Sequence, residues 1–219
     1  MVRRGTSGRG GRGRYSFIAK VKADFCDVGK RSSVGYRVAM DRQPTLEGEH
    51  LLLRPLREDD RAALYAAAND PALWADHPEP ERWREVEFAA FFDGLIERGG
   101  ALAVIDKESG ALIGTSSYQY GSPDDGGTIE IGSTFLARAH WGGGTNREMK
   151  RLLIAHALSA VQTAEFWAGQ ENLRSRRALE KIGAVLVDRI EPVEIAGRTV
   201  PHVVFAVTRE SFAAGPLVG

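Results

Sequence analysis

The sequence predicts a mixed α/β domain in which a central, mostly antiparallel β-sheet is flanked by about four helices. Along the chain, segments with apolar residues at helical spacing follow segments in which apolar and polar residues alternate. This pattern indicates helices packed on one sheet. Residues 101–105 and 112–120 alternate on either side of the turn 107–110, as the strands of a hairpin do. Three glycines at 142–144 separate a strand pattern from a helix pattern. An all-β fold and a helical bundle are therefore excluded.

The first strand is predicted from His50 to Pro55. An aspartate at 59 or 60 can cap a helix over Asp60–Ala68, which ends in the turn 69–71. A second helix is expected over Pro80–Arg98, because aromatic and aliphatic residues recur there at helical spacing before a Gly-Gly pair. The hairpin follows.

The second half of the chain alternates between strands and helices. A turn at Pro123–Gly127 should lead into a strand that contains Glu130. The later expected elements are a helix over Thr145–Ala160, a strand over Ala164–Gly169, a helix over Leu173–Ile182, and a hairpin of Val185–Glu194 with His202–Thr208.

A formal net charge of zero hides two oppositely charged segments. Residues 1–40 carry ten Lys and Arg against two Asp, a net charge of +8. The rest of the chain has 19 Lys and Arg against 27 Asp and Glu, a net charge of −8. Five arginines and five glycines in the first fourteen residues predict a disordered basic extension at 1–40. We expect it to be a non-functional extension from an upstream start codon, with RNA binding or targeting as alternatives. The domain is predicted at 45–212, with a C-terminal tail at 213–219.

Composition excludes several classes of function. The acidic domain favours an amine-bearing substrate and makes nucleic acid an unlikely partner. A single cysteine, Cys26, is compatible with a reducing compartment, and no apolar run approaches the roughly 18 residues of a membrane span. We expect a cytoplasmic protein, monomeric or homodimeric, without a metal, since its histidines lack ligand spacing: His50, His77, His140, His156 and His202.

The glycine turn predicts a phosphate site. Without Cβ atoms the backbone can approach a ligand closely, and the following helix offers unpaired N–H groups to an anion. A P-loop would need a Lys after Gly144, and a dinucleotide fingerprint would need Gly at Arg147. Neither motif fits.

The segment resembles the acyl-CoA signature of the GCN5-related N-acetyltransferases, in which a splayed strand precedes an Arg/Gln-x-x-Gly-x-Gly/Ala loop. Gly142 and Gly144 match its glycines, while Ala139 replaces the Arg or Gln. Residues 170–184 are similar to the Asn-x-x-Ser-x-x-x-x-Glu-Lys-x-Gly-aromatic element of the ribosomal-protein alanine acetyltransferase branch, with Ala184 replacing the aromatic residue. The Leu-Arg-Pro sequence at 53–55 resembles the opening of that branch.

This resemblance implies an acyl-CoA N-acetyltransferase fold with a splayed sheet and acetyl-CoA as co-substrate. It implies that the Ser175 hydroxyl interacts with the departing thiolate and that Asn172 binds the pantetheine arm. Serine and asparagine are also favoured helix caps, so capping is the alternative role for both residues. Arg174, Arg176 or Arg177 could reach the 3′-phosphate. The remaining implied coenzyme contacts are Phe135, Leu136 and Ala137 for the pantetheine amides, and Trp141, Gly142, Gly143, Gly144, Thr145, Asn146 and Arg147 around the pyrophosphate.

The amine must lose a proton before it attacks the thioester. The resemblance suggests Glu194 as the base, and Glu130 is the competing carboxylate. Trp74 and His77 could line the acceptor cleft, or Trp74 could simply anchor packing.

The sequence therefore predicts direct acetyl transfer to a primary amine, either a protein N-terminus or a small molecule. An aminoglycoside, a polyamine or an amino acid is a possible acceptor, because acceptor loops vary within a fold. A non-catalytic CoA-binding or RNA-binding module is the alternative from another class.

Overall fold

The computed structural model describes residues 40–121, 127–195 and 197–218. The predicted extension at 1–40 lies outside these ranges except for Met40, as does the predicted turn at 123–127 except for Gly127. Met40 and Leu217 are 8% and 4% exposed within the main hydrophobic core. The packing of the domain thus extends past the predicted boundaries at 45 and 212.

The described part of the chain forms a mixed α/β domain around one eight-stranded sheet, as the sequence predicts. The strand order is β1-β2-β3-β4-β5-β6-β8-β7, and only the β5–β6 pair is parallel. The strands are β1 (Leu46–Glu47), β2 (Leu51–Pro55), β3 (Ala101–Asp106), β4 (Leu112–Gly121), β5 (Thr128–Leu136), β6 (Thr163–Gly169), β7 (Val185–Ile195) and β8 (Arg198–Thr208). The helices are α1 (Arg61–Ala68), α2 (Pro71–Trp74), α3 (Glu85–Arg98), α4 (Thr145–Ala160), α5 (Leu173–Lys181) and α6 (Arg209–Ala213).

The sheet has a hydrophobic core on each face. Alternate residues of β3 point to different cores, with Ala101 and Ala103 in one and Leu102 and Val104 in the other. The first core contains side chains of α1, α2 and α3, and the second contains side chains of α4 and α5. Both faces of the central strands are therefore buried, which stabilises the sheet by removing apolar area from water.

Several elements differ from the sequence-based prediction. Helix α3 begins at Glu85 instead of Pro80, since residues 75–84 form turns. The predicted turn at 69–71 leads into the short helix α2, whose first residue is Pro71 and whose cap is Asp70. The two-residue strand β1 and helix α6 were not predicted, because neither is long enough to show a period.

Candidate active site

Strands β5 and β6 part in the middle of the sheet. They pair in parallel over three residues, of which Glu130↔Glu165 is the last. Beyond this pair, β5 continues to Leu136 and β6 to Gly169, but the two strands no longer pair with each other. A cleft of about 880 Å³ opens between the two diverging strands.

A β-bulge in β5 accompanies this divergence. Gly132 lies opposite Ser117 and Phe135 opposite Thr115, so three steps on β5 match two on β4. Ser133, inside the bulge, has a φ of 47°, which is uncommon for a residue other than glycine. The bulge redirects β5 where it borders the cleft.

The glycine turn and the start of α4 form one end of the cleft. Gly142 has a φ of 77°, and a Cβ at Gly142, Gly143 or Gly144 would meet no atom within 4 Å. No side chain of the described residues caps the N-terminus of α4, and the positive end of the helix dipole there favours an anion. Trp141, Gly142, Gly143, Asn146 and Arg147 line the cleft, whereas Gly144 and Thr145 line an adjacent depression.

Trp141 connects this turn to the strand and to α5. Its indole N–H donates to the Leu136 carbonyl at 2.8 Å, and the Arg174 guanidinium lies 4.5 Å from its ring centre. Arg174 also donates to the Leu73 carbonyl at 2.7 Å. Both contacts of Arg174 are with the protein itself, which gives this residue a structural role.

The strand residues assigned to the pantetheine arm are not equivalent. Phe135 and Leu136 line the cleft, but Ala137 does not, and its N–H donates to the Ile113 carbonyl at 2.8 Å. The N–H of Ala137 is therefore not free for a ligand amide.

Helix α5 brings Asn172, Ser175 and Arg177 to the opposite wall of the cleft. The Asn172 side chain caps α5 by accepting the Ser175 N–H at 3.1 Å, so the capping alternative holds for Asn172. The Ser175 hydroxyl and the Arg177 guanidinium make no hydrogen bond or ion pair with the described residues. Arg176 donates to the Gln170 carbonyl at 2.9 Å.

Glu130 and Glu194 lie in very different surroundings. Glu130 is only 8% exposed, and a Cβ on the cleft-lining Gly132 would lie 2.7 Å from its Oε1. Burial raises the pKa of Glu130 to about 7, with smaller contributions from the neighbouring carboxylates of Glu165 and Glu191 and against the opposing charge of Arg98. Glu194 is exposed and accepts a hydrogen bond from Thr199, and neither Glu130 nor Glu194 is itself among the described cleft-lining residues.

Arg189 explains why Glu130, and not its neighbours, lacks a cation. Its guanidinium pairs with Glu165 at 2.5 Å and with Glu191 at 2.9 Å. Glu130 receives only a long hydrogen bond, 3.4 Å from Gln119 Nε2. A buried carboxylate without a paired cation has a raised pKa, which makes it a stronger base and still leaves a large deprotonated fraction near neutral pH.

Trp74 and His77 both line the cleft, as the sequence suggested. Trp74 is buried and donates to the Ala68 carbonyl at 2.9 Å, so it is also a packing anchor. Burial, reinforced by the charge of Arg82, lowers the pKa of His77 well below its usual value, and the ring is neutral. Its Nδ1 accepts the Glu79 N–H at 3.0 Å.

Sequence reasoning missed Lys150, which lines the cleft from α4. A signal was present: Lys150 lies on the helix face of Leu153, Ile154 and Ala157, all fully buried. It also missed Glu165, Arg189 and Arg82, whose roles depend on contacts distant in sequence.

A family model described as an acetyltransferase (GNAT) domain matches residues 50–185, more than half of the chain. The chain belongs to the GNAT acetyltransferase family. The predicted superfamily and fold are confirmed, and the protein is an N-acetyltransferase.

Solved structures show the same fold. A GCN5-related N-acetyltransferase from Brucella melitensis is 24% identical, with a TM-score of 0.70 over 80% of this chain and 83% of that one. A GNAT-family acetyltransferase from Bacillus anthracis is 18% identical, with a TM-score of 0.61 over 76% and 99%. Mycobacterium smegmatis RimJ in complex with CoA-disulfide is 20% identical, with a TM-score of 0.57 over 76% and 86%. At the level of fold, RimJ agrees with the branch that the motifs resemble.

Two further findings concern residues 40–121, 127–195 and 197–218. None of their helices combines the length and apolar character that crossing a membrane requires. No three His, Cys, Asp or Glu side chains among them are grouped as metal ligands would be.

Proposed function

We propose that this GNAT acetyltransferase transfers an acetyl group from acetyl-CoA directly to a primary amine, with Glu130 as the base. The observation that carries the proposal is the divergence of β5 and β6 beside the uncapped N-terminus of α4. One cleft thereby offers an anion site and an open strand edge to the same elongated ligand. A cytoplasmic location, where acetyl-CoA is available, is part of the proposal.

In this proposal the pyrophosphate lies over the glycine turn. The N–H groups of Thr145 and Asn146 at the helix start and the positive end of the α4 dipole favour an anion there. The pantetheine arm then lies between the diverging strands, along Phe135 and Leu136. The thioester lies near the bulge at Ser133, where redirected backbone N–H groups can stabilise the oxyanion.

The acceptor amine reaches the thioester from the side of Glu130. Glu130, directly or through one water, takes the proton of the attacking amine, and the nitrogen bonds to the carbonyl carbon. The C–S bond breaks and its electron pair leaves as the CoA thiolate, near the unbonded hydroxyl of Ser175. No cysteine lies after Cys26, so the domain contains no thiol to carry the acetyl group in a two-step route.

Burial and position favour Glu130 over Glu194. A base must be close to the reacting nitrogen and have a pKa near the working pH. Glu130 lies where the strands part and has a pKa of about 7, whereas Glu194 is exposed near the tip of the β7–β8 hairpin. We therefore assign Glu194 no proton transfer.

The acceptor is a protein N-terminus or a small-molecule amine. The neutral ring of His77 and the indole of Trp74 form part of the cleft wall. Arg198 Nη2, at the tip of the β7–β8 hairpin, lies 3.5 Å from the Pro78 carbonyl, so the hairpin contacts the loop that contains His77. The resemblance of residues 170–184 to the ribosomal-protein alanine acetyltransferase branch makes the protein N-terminus the first candidate.

A screen of amines with isotopically labelled acetyl-CoA tests the proposal. Peptides with free N-terminal Ala or Ser, aminoglycosides, polyamines and amino acids serve as acceptors, and mass spectrometry identifies the product. We expect a stable amide and no labelled enzyme intermediate in a rapid quench. Failure of acetyl-CoA to bind in calorimetry, or binding without transfer to any amine class, would contradict the proposal.

A further inference from the structure

Lys150 places an amine inside the cleft where the acyl donor is proposed to bind. The residue is 5% exposed, projects from α4 and lines the cleft. Its Nζ lies 4.5 Å from the ring centre of Phe166 on β6 and 3.2 Å from Thr134 Oγ1 on β5. The amine therefore lies between the two diverging strands, beside the bulge at Ser133.

Among the described residues, no carboxylate pairs with this amine and stabilises its protonated form. Within the described chain its one hydrogen-bond partner is Thr134, whose hydroxyl also bonds to Ser116 Oγ at 2.8 Å. The charged or titratable side chains that share the cleft wall are mostly basic, and none of them pairs with Lys150. They are Asp76, His77, Arg82, His140, Arg147, Glu171, Arg174, Arg177, Lys181 and His202.

Burial makes this amine nucleophilic at neutral pH. It lowers the pKa of Lys150 to about 7, because the charged form loses its hydration. About half of such a side chain is neutral at pH 7, against roughly one in 3,000 for an exposed lysine. Only the neutral amine attacks a carbonyl.

We propose that Lys150 is a self-acetylation site, modified by the acyl-CoA bound in its own cleft when no acceptor amine competes. The inference rests on the proposed function, which supplies the acetyl donor. The Nζ bonds to the thioester carbonyl carbon, the C–S bond breaks, and its electron pair leaves on sulfur. The proton lost from nitrogen passes to the thiolate, giving N-acetyl-Lys150 and free CoA.

The product would inhibit the enzyme. Acetylation removes the positive charge over Phe166 and adds an acyl group to the space between Thr134 and Phe166. That is the space in which the next acetyl-CoA must place its thioester. Turnover should therefore fall in proportion to the modified fraction.

Peptide mapping of the full-length wild-type protein tests the inference. The protein is incubated with acetyl-CoA alone between pH 6 and 9, and acetylation is followed at each lysine. Lys107, which is exposed and does not line the cleft, serves as the internal control. We expect Lys150 to react roughly 30-fold faster than Lys107, or more, at pH 7, because its large neutral fraction is only partly offset by its lower basicity.

The pH profile and a competitor distinguish this reaction from solution chemistry. The rate at Lys150 should level off above about pH 8, whereas acetylation of exposed lysines keeps rising with pH. Excess CoA should suppress the reaction at Lys150 only. Equal rates at Lys150 and Lys107, or no effect of CoA on Lys150, would overturn the inference.

Two measurements separate this inference from the proposed function. Calorimetry with acetyl-CoA reports donor binding, so binding without modification of Lys150 overturns the inference alone. Absence of binding overturns both. Lys150→Arg keeps the positive charge but cannot form the product under these conditions, so preincubation with acetyl-CoA should no longer reduce its turnover.

Discussion

Replacing Glu130 by glutamine is expected to stabilise the fold at alkaline pH while it removes the proposed base. The folded-state pKa of Glu130 is raised from 4.5 to about 7 by burial and by the adjacent carboxylates. Between these two values the folded protein binds more protons at this site than the unfolded chain does. The free energy of unfolding therefore falls as the pH rises through this window.

The size of the effect follows from the two pKa values. A rise from 4.5 to about 7 corresponds to a loss of about 3 kcal/mol in the free energy of unfolding, complete above the folded-state pKa. Glutamine is neutral at every pH and avoids this loss. The Glu130→Gln variant should match the wild type near pH 4 and exceed it by about 3 kcal/mol at pH 8.

Thermal and urea unfolding at pH 4.5, 6 and 8 measure this difference. For a domain of this size, about 3 kcal/mol corresponds to a rise in Tm of roughly 6 to 12 °C. Glu194→Gln, at an exposed position, is the matched control and should show no pH-dependent difference. A Glu130→Gln variant that is no more stable than the wild type at pH 8 would refute this account of Glu130.

Four functional predictions accompany it. Glu130→Gln should lower kcat by roughly 10²-fold at neutral pH and recover partly as the amine deprotonates itself, while Glu194→Gln stays near wild type; the reverse result in steady-state kinetics would reassign the base. Ser175→Ala should lower kcat with little change in the KM for acetyl-CoA, because its hydroxyl would act on the thiolate only in the transition state; an unchanged kcat would return Ser175 to a structural role. Gly143→Val should abolish acetyl-CoA binding in calorimetry with an unchanged Tm, because Gly143 lines the cleft and its Cβ would meet no atom of the protein, and undiminished affinity would move the pyrophosphate elsewhere. Arg177→Ala should weaken acetyl-CoA binding roughly 10-fold but leave the 3′-dephospho form unaffected, and equal losses for both would remove the 3′-phosphate contact.

The order of the elements could be predicted because the chain shows it locally. Helix α4 was predicted with its observed bounds, since a glycine turn precedes it and apolar residues recur at helical spacing along it. The glycine turn and the Asn172–Ser175 segment were found because short motifs carry their own spacing. The start of α3 was misplaced, since proline and aromatic residues near 80 fit either a helix start or a turn.

The chemistry of the candidate site depended on neighbours that are far apart in sequence. The pKa of Glu130 is raised first by burial and then by Glu165 and Glu191, which β6 and β7 bring near it, while Arg189 pairs with those two residues. Glu194 was suggested by the family resemblance, and nothing in its local sequence tells that it is exposed.

By itself, the sequence determined the fold class and the position of the glycine turn, because these depend on periodicity and on backbone properties of nearby residues, and its short motifs carried the resemblance to the family. The tertiary structure decided where β5 and β6 part, which carboxylate is buried and that Lys150 enters the cleft. Desolvation and ion pairing depend on the full three-dimensional surroundings of a group. The pKa of a glutamate or a lysine therefore depends on where the fold places it, and not on its neighbours in the sequence.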